Sequence, residues 1–355
     1  MDQVRYGVIG AGLMGREHIA NVNALPGVEV TAVADPHEAS RDAAVAVAES
    51  TVSVFADYRE MLDADVCDAL VVATPNMTHI DVLRDVLLSD VAVLVEKPMC
   101  TTIDDCLEVV ELSANRNGLV WVGLEYRYMA PVAHLLDELA TGVAGRLQMV
   151  AIREHRFPFL EKVGNWNRLS RNTGGTLVEK CCHFFDLMSV IAGARPMRVM
   201  ASGGQNVNHL EESYEGEHSD ILDNAYVIVE YDNGVRGLLD LCMFAEATHN
   251  QEEISVVGHA GKLEALIPED IIRVGRRGEH RIGHVETRGA SSSSVPYQGL
   301  HHGSSYIENS KFVEAVRSGG EPEVDVMDGL MSVAVGVAAH RSIELGRPVL
   351  MSELI

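Results

Sequence analysis

The chain is poor in basic residues, with 28 lysines and arginines against 52 aspartates and glutamates in 355 residues and a formal net charge of -24. Proteins that bind nucleic acids or acidic membrane surfaces normally present a net basic face to the phosphates. The charge balance therefore argues against both kinds of partner. An anionic ligand would have to be held by local geometry.

Cysteine is also scarce, and its spacing is not that of a disulfide framework. The six cysteines show no paired spacing, and the adjacent Cys181 and Cys182 cannot readily bridge each other. No apolar run reaches the ~18 residues needed to span a bilayer, and the N-terminus lacks the basic and apolar segments of a secretory signal. The sequence thus predicts a soluble cytoplasmic protein.

The length predicts two domains, because 355 residues exceed one ordinary domain. Residues 1–125 alternate short apolar strands with helices, which is typical of a doubly wound parallel sheet of the Rossmann type. Residues 126–355 contain long alternating runs, an Asn-Gly hairpin signal at 233–234 and a helix from about Thr176 to Ala192. We therefore expect an α/β protein, with an N-terminal Rossmann domain and a C-terminal α+β domain that carries a large, mainly antiparallel open-faced sheet.

A glycine-rich turn follows the first predicted strand and opens a helix. In this motif the first glycine permits a tight turn, the second lets backbone approach a pyrophosphate, and the third lets the helix pack closely on the strand. The helix N-terminus adds free N–H groups and about half a positive charge. The turn thus predicts a dinucleotide site formed by Gly10, Ala11, Gly12, Leu13, Met14 and Gly15.

Asp35 ends the second predicted strand, about twenty residues after the glycine motif, and Pro36 follows it. A carboxylate at this position accepts hydrogen bonds from a ribose 2′-hydroxyl and repels a 2′-phosphate. No arginine stands immediately after Asp35 to neutralise such a phosphate. The pocket therefore favours NAD over NADP, and a role of Asp35 in capping the next helix is compatible with that reading.

Polar tripeptides close two later strands of the predicted parallel sheet. Thr74-Pro75-Asn76 ends one strand, with His79 at the start of the following helix, and Glu96-Lys97-Pro98 ends the next strand. Ligands of doubly wound sheets bind at the carboxyl ends of the strands. These residues are therefore further candidates for cofactor binding.

Three polar side chains, Glu179, His183 and Asp186, are spaced to lie on one face of the helix predicted from about Thr176 to Ala192. The flanking residues are apolar, which indicates a mostly buried helix, and a buried polar stripe needs partners or a cavity. A solvated face or a satisfied core histidine is the alternative. We favour a functional face.

Together, these segments resemble the Gfo/Idh/MocA family of oxidoreductases, which includes glucose–fructose oxidoreductase and inositol 2-dehydrogenase. The resemblance runs nearly end to end, and its carriers are the glycine motif, Ala73–Asn76 with His79, Glu96–Pro98 and Gly174–Asp186. It implies that Lys97 and His183 flank the reacting carbinol above the nicotinamide, with Glu96 and Pro98 positioning Lys97. The chain departs from the family's usual aspartate and glycine by having Glu179 and Cys181, which leaves the role of the longer carboxylate open.

The required chemistry agrees with these roles. Oxidation of a secondary alcohol needs a base within hydrogen-bond reach of the hydroxyl while hydride leaves to nicotinamide C4. A lysine with the usual pKa of about 10.4 is protonated at neutral pH, whereas histidine titrates near neutrality. We therefore expect His183 to accept the proton, Lys97 to stabilise the developing alkoxide and Glu179 to orient these groups or bind substrate. Lys97 and His183 could exchange roles.

Substrate contacts are expected from polar and aromatic side chains that suit a polyol or sugar, because a ring covers an apolar sugar face while amides and charges take its hydroxyls. Surface or interdomain pairing is the alternative for each of them. The adjacent His301 and His302 point apart and lack the spacing of a zinc site, so we predict no metal. The expected substrate-binding residues are Lys97, Tyr126, Arg127, His155, Trp166, Asn167, Glu179 and His183.

The leading hypothesis is an NAD-dependent dehydrogenase of a cyclic polyol, sugar or sugar derivative. A redox-neutral enzyme that oxidises and re-reduces one carbon, as in glycoside processing, is the first alternative. A nucleotide-sensing regulatory protein without turnover is the second, and the presence of Lys97 and His183 weighs against it. The predicted open sheet face, together with the family resemblance, favours a homodimer or homotetramer.

Overall fold

The computed structural model describes residues 3–214, 216–291 and 295–355. They form two compact units. The first contains residues 3–125, 162–166 and 295–333, and the second contains the remaining described residues. The sequence-based division placed the boundary after Glu125 but assigned the two later segments of the first unit to the second domain. None of the described helices combines the length and apolarity needed to cross a membrane.

A six-stranded sheet forms the centre of the first unit, as predicted, and its strand order is β3-β2-β1-β4-β5-β6. All of its strand pairs are parallel. In this order β1 lies between β2 and β4, so the turns that follow β1, β4 and β5 emerge at one edge of the sheet. The strands are β1 (Val4–Ile9), β2 (Val28–Ala34), β3 (Ser53–Phe55), β4 (Ala69–Val72), β5 (Ala92–Glu96) and β6 (Val120–Gly123).

Helices connect these strands, and a later segment of the chain completes the core of this unit. The ring of Phe312 packs edge-on against Tyr6 and Trp121, with centroid distances of 6.1 and 6.2 Å. Such contacts bury large apolar areas and favour a rigid core. The helices are α1 (Leu13–Asn23), α2 (Glu38–Val47), α3 (Tyr58–Asp63), α4 (His79–Val86), α5 (Ile103–Ala114) and, later in the chain, α10 (Ser304–Ser318), numbered along the whole chain.

A nine-stranded sheet forms the second unit, with the order β16-β15-β14-β13-β7-β12-β11-β8-β17. Its pairs are antiparallel except β7 with β12, which confirms a mainly antiparallel sheet. Its strands are β7 (Leu147–His155), β8 (Pro196–Gly204), β11 (Asn224–Tyr231), β12 (Arg236–Cys242), β13 (Glu252–Gly258), β14 (Gly261–Ile267), β15 (Ile271–Arg276), β16 (Val285–Gly289) and β17 (Val349–Leu350), and a separate pair is formed by β9 (Ser213–Tyr214) and β10 (Glu217–His218).

One face of the large sheet is buried and the opposite face is open within this unit. Along β11, Ala225, Val227 and Val229 are buried, whereas Tyr226 between them is exposed. The open face also carries exposed Leu238 on β12, together with Met149 on β7 and Met200 on β8. Large apolar side chains in such an arrangement are typical of a surface that another protein covers.

The prediction of one continuous helix from about Thr176 to Ala192 is wrong. The structure has α8 (Thr176–Glu179) and α9 (Cys182–Ala192), separated by a turn at Lys180 and Cys181. The thiol of Cys182 donates to the carbonyl oxygen of Glu179 at 3.6 Å, the acceptor that an uninterrupted helix would offer to the amide of His183. The other helices are α6 (Ala130–Ala140), α7 (Ser170–Thr173) and α11 (Val326–Leu345).

Candidate active site

The turn after β1 needs glycine at two positions for internal reasons. Gly10 has φ of 93°, and a Cβ there would lie 2.6 Å from the backbone of Ala73. A Cβ on Gly15 would lie 1.9 Å from the carbonyl oxygen of Gly10. At Gly12, by contrast, a Cβ would meet no atom within 4 Å, so the protein itself does not require glycine there. Open space at Gly12, before the uncapped N-terminus of α1, fits the close approach of a pyrophosphate.

Asp35 is a buried carboxylate at the end of β2 that ties two backbone segments together. Its Oδ2 accepts from the amide of Ala11 at 2.8 Å and its Oδ1 from the amide of His37 at 2.8 Å. A carboxylate has about four lone-pair sites, so capacity remains for ribose hydroxyls. The sequence analysis missed Arg41, whose guanidinium donates to the carbonyl oxygens of Asp35 and Pro36. The guanidinium, one turn into the following helix, therefore braces the backbone that carries the Asp35 carboxylate.

The turn after β4 presents Thr74, Pro75 and Asn76 at the same edge of the sheet. The Nδ2 atom of buried Asn76 has no hydrogen-bond partner among the described residues, so it can serve a bound ligand. The ring of His79 is buried, with Nε2 3.0 Å from the oxygen of Thr74 and Nδ1 2.9 Å from that of Pro98. Burial lowers the pKa of His79, and the neutral ring can donate a hydrogen bond to only one of these two carbonyl oxygens. The expected cofactor contact of His79 stays a prediction.

Glu96 anchors the turn that carries Lys97. Its Oε1 lies 2.8 Å from Nε2 of His18 on α1, and its Oε2 accepts from the amide of Lys97 at 3.1 Å. Burial disfavours the carboxylate, but the hydrogen bond and charge of His18, together with the charge of Lys97, lower the pKa of Glu96 to about 2. For His18, burial is outweighed by Glu96, which raises the histidine pKa. The pair therefore holds the backbone of Lys97 through a charged, buried contact that links it to the nucleotide-binding helix.

A second buried carboxylate of this unit, Glu125, follows β6. It accepts from the hydroxyl of Ser305, and its Oε1 lies 2.9 Å from Nδ1 of His301. From the sequence, His301 was considered only as part of a histidine pair that lacks the spacing of a zinc site. Its pairing with Glu125 could not be seen from spacing, because the two residues are far apart in the chain.

In the second unit, His183 lies near the start of α9 with its ring buried against Tyr126. The two rings are stacked, with centroids 3.9 Å apart and planes inclined by 8°. The hydroxyl of Tyr126 accepts from Nζ of Lys180 at 2.6 Å. Tyr126 was expected to bind substrate. The structure instead places its ring against the candidate proton acceptor, which leaves its substrate contact a prediction.

Lys180 belongs to a buried charged cluster that sequence reasoning missed. Its Nζ lies 3.1 Å from Oε1 of Glu154 on β7, and Glu252 on β13 is the direct cross-strand neighbour of Glu154. Both carboxyls are buried. Burial and the charge of Glu154 raise the pKa of Glu252 to about 8, with Lys180 opposing the shift. Glu252 therefore holds its proton at neutral pH, beside the buried carboxyl of Glu154.

The remaining predicted substrate residues have varied surroundings. Nε of Arg127 donates to Asp186 at 2.7 Å, within a bidentate ion pair. Nε2 of His155 lies 3.1 Å from Asp240. Asn167 is buried and its Nδ2 donates to the carbonyl oxygen of Leu160 at 3.0 Å. Two of these side chains are thus paired with carboxylates, and their contact with substrate stays a prediction.

Glu179 and Trp166 complete the set of predicted residues. Glu179 is buried at the end of α8, four residues before His183 and on the other side of the helix break. Trp166 is half-buried and belongs to the first unit, whereas Asn167 belongs to the second. No cluster of three or more histidine, cysteine, aspartate or glutamate side chains suited to a metal ion occurs in the described part of the chain.

The start of α8 is held by a histidine from α11. The Nε2 of His340 accepts from the amide of Leu177 at 3.1 Å, and a Cβ on Gly175 would lie 2.4 Å from the same atom. Burial lowers the pKa of His340 to about 4, which keeps the ring neutral so that it can accept this bond. Gly175 therefore serves close packing of α8, the element that leads into α9 and His183.

A parallel sheet with a glycine turn, an open helix N-terminus and an acidic residue after β2 defines a dinucleotide-binding protein of the Rossmann class. The chain matches the model of the oxidoreductase family's NAD-binding Rossmann fold over residues 4–124 and that of the family's C-terminal alpha/beta domain over residues 137–351. The chain therefore belongs to the Gfo/Idh/MocA oxidoreductase family, and NAD is its cofactor.

Individual relatives are similar over nearly the whole chain. The chain is 25% identical to scyllo-inositol 2-dehydrogenase (NAD(+)) of Bacillus subtilis, covering 98% of this chain and 96% of that protein. It is 26% identical to myo-inositol 2-dehydrogenase of Thermotoga maritima, covering 99% and 100%. A solved structure of levoglucosan dehydrogenase with NADH and levoglucosan has a TM-score of 0.85 at 18% identity, covering 98% and 99%, which supports the fold.

Proposed function

We propose that this protein is an NAD-dependent dehydrogenase that oxidises a secondary hydroxyl of a cyclic polyol, sugar or sugar derivative to the ketone. The observation that carries the proposal is the buried His183, near the start of α9, whose ring is stacked on Tyr126. The relatives named as inositol dehydrogenases, although only 25 and 26% identical, favour a cyclic polyol as substrate class.

Bound NAD would be held at the turn around Gly12, with Asp35 on the ribose and Asn76 beside the nucleotide, and it supplies the nicotinamide that accepts hydride. Glu96 accepts a hydrogen bond from the backbone amide of Lys97 and so holds that backbone in place. The ammonium of Lys97 stabilises negative charge on the substrate oxygen. His183 takes the hydroxyl proton, and Glu179 orients one of these groups or binds a neighbouring hydroxyl. Substitution of Lys97 and His183 tests these roles.

The decisive experiment measures turnover of Lys97→Ala, His183→Ala and the double variant, with NADH formation followed at 340 nm on inositols, aldoses and glycosides. Each single substitution should lower kcat by roughly 10²–10⁴ while NAD affinity stays nearly unchanged, which is the usual scale for acid–base catalysis. The kcat of the double variant should be little lower than that of the less active single variant, because the effects of substituting two groups that act as one unit do not add.

Matched controls are His249→Ala and Lys262→Ala, since both side chains are largely exposed. Normal turnover in His183→Ala would eliminate the proposed proton acceptor, and normal turnover in both single variants would move the active site elsewhere. Product formation without net NADH release would instead identify the redox-neutral alternative. Binding of NAD with no turnover on the panel would favour the regulatory one.

A further inference from the structure

The stack of Tyr126 on His183 restricts the histidine ring to one plane. The rings are nearly parallel at 8° with centroids 3.9 Å apart, and both side chains are buried. A buried imidazole in face contact with a phenol ring cannot turn about its own axis without displacing that ring. The orientation of His183 therefore depends on how firmly Tyr126 is held.

Tyr126 is held by an ammonium group. Nζ of Lys180 donates to the phenol oxygen at 2.6 Å and lies 4.8 Å from the centroid of the same ring. It also lies 5.4 Å from the ring of Phe184, the residue after His183. A hydrogen bond from a charged donor is shorter and stronger than a neutral one, and burial of Lys180 limits competition from water.

The position of Lys180 depends in turn on side chains of the neighbouring strands β7 and β13. Glu154 lies 3.1 Å from Nζ of Lys180, and Nη1 of Arg156 donates to the same carboxylate oxygen at 3.4 Å. Glu252 faces Glu154 directly across the strand pair and accepts from Gln251 at 2.6 Å. Lys180 is therefore paired with the buried carboxyl of Glu154, whose place opposite Glu252 is set by the register of β7 and β13.

We propose that Tyr126 and Lys180 are positioning residues for His183, with Lys180 fixed by Glu154 and transmitting that constraint through the phenol ring to the imidazole. This inference rests on the proposed function of His183 as the proton acceptor. It assigns catalytic importance to a second lysine, distinct from Lys97, that acts on the reaction through another side chain.

The test compares Tyr126→Phe, Tyr126→Leu and Lys180→Met with Tyr231→Phe and Lys262→Met. The controls remove a hydroxyl and an ammonium whose contacts lie elsewhere in the same unit. Tyr126→Leu and Lys180→Met should lower kcat roughly 10- to 100-fold with KM and the NAD dissociation constant changed less than about threefold, because misplacement of a catalytic group by about 1 Å costs up to 10²-fold. Tyr126→Phe, which keeps the ring but loses the bond to Lys180, should fall between wild type and Tyr126→Leu.

A second measurement needs no substrate. The Cε1–H proton signal of His183, assigned by its loss in His183→Gln, should move downfield in Tyr126→Leu because the shielding ring current of the tyrosine is removed. In Lys180→Met the signal should broaden or move in the same direction. An unchanged signal and unchanged kcat in both variants would overturn the inference.

Loss of Lys180 leaves the buried Glu154 with the longer contact to Arg156, at 3.4 Å, which can destabilise the protein. The variant Lys180→Met/Glu154→Gln removes both charges and is the folded counterpart for the same assays. If its kcat and its His183 signal match wild type, Lys180 is not a positioning residue. If instead His183→Ala keeps normal turnover while Tyr126→Leu moves the His183 signal, the proposed function fails and the contact between these residues stands.

Discussion

Glu252→Gln should make the protein more stable at alkaline pH than the wild type. The neutral amide has nearly the shape of the protonated carboxyl, can accept from Gln251 and can donate to Glu154. The substitution therefore keeps the contacts of the protonated state and removes the group that titrates. Below the usual carboxyl pKa of 4.5 the two proteins should differ by less than about 1 kcal/mol.

The size of the effect follows from the two pKa values. Glu252 has a pKa of about 8 when folded against 4.5 as the reference value, so between these pH values the folded protein holds a proton that the unfolded chain has released. Raising the pH through this window lowers the free energy of unfolding of the wild type. The full shift of about 3.5 pH units corresponds to about 5 kcal/mol, of which about 4 kcal/mol falls between pH 5 and pH 9.

The assay is urea unfolding followed by circular dichroism at pH 5, 7 and 9, with the difference in free energy of unfolding between variant and wild type as the readout. That difference should rise with pH in favour of Glu252→Gln, because effects common to both proteins cancel. Glu253→Gln is the matched control, since Glu253 is the next residue on the same strand, is half-exposed and pairs with Arg153. The control difference should stay constant across the series.

A pH-independent difference for Glu252→Gln would refute the reasoning, because it would mean that Glu252 carries the same charge in the folded and unfolded states. A difference that falls with pH would mean that the proton resides elsewhere in the cluster.

Two further predictions concern the cofactor and the assembly. Wild-type protein should bind NAD at least tenfold more tightly than NADP in fluorescence titrations. Asp35→Asn should narrow the ratio of the two affinities, because it removes the carboxylate charge that repels a 2′-phosphate; equal wild-type affinities would show that the end of β2 was misinterpreted. Light scattering at micromolar concentration should give a dimer or tetramer, and Tyr226→Lys/Leu238→Lys on the open sheet face should weaken it; a wild-type monomer would contradict this expectation.

Much of the first unit could be predicted from the sequence, because its signals are local. Strand β1, the glycine turn and α1 follow one another within twenty residues, and Gly10 and Gly15 answer steric demands of this turn. The alternation of strands and helices then determines a parallel sheet, and with it the edge where ligands bind. The same reasoning failed at Lys180 and Cys181, where the helix is interrupted although the apolar spacing continues unchanged. At this point the thiol of Cys182 donates a hydrogen bond to the carbonyl oxygen of Glu179.

The sequence by itself determined the local elements that present the proposed catalytic residues, Lys97 after β5 and His183 near the start of α9. Only the tertiary structure decided which partners surround them. His18 contacts Glu96, the residue before Lys97, and the ring of Tyr126 stacks on His183. Glu252 lies opposite Glu154 on the neighbouring strand. Lys180 and Tyr126 are 54 positions apart, and no local pattern links them. The physical reason is that periodicity and turn chemistry depend on near neighbours, whereas the pairing of buried charges depends on strand register and helix packing, which the whole chain sets together.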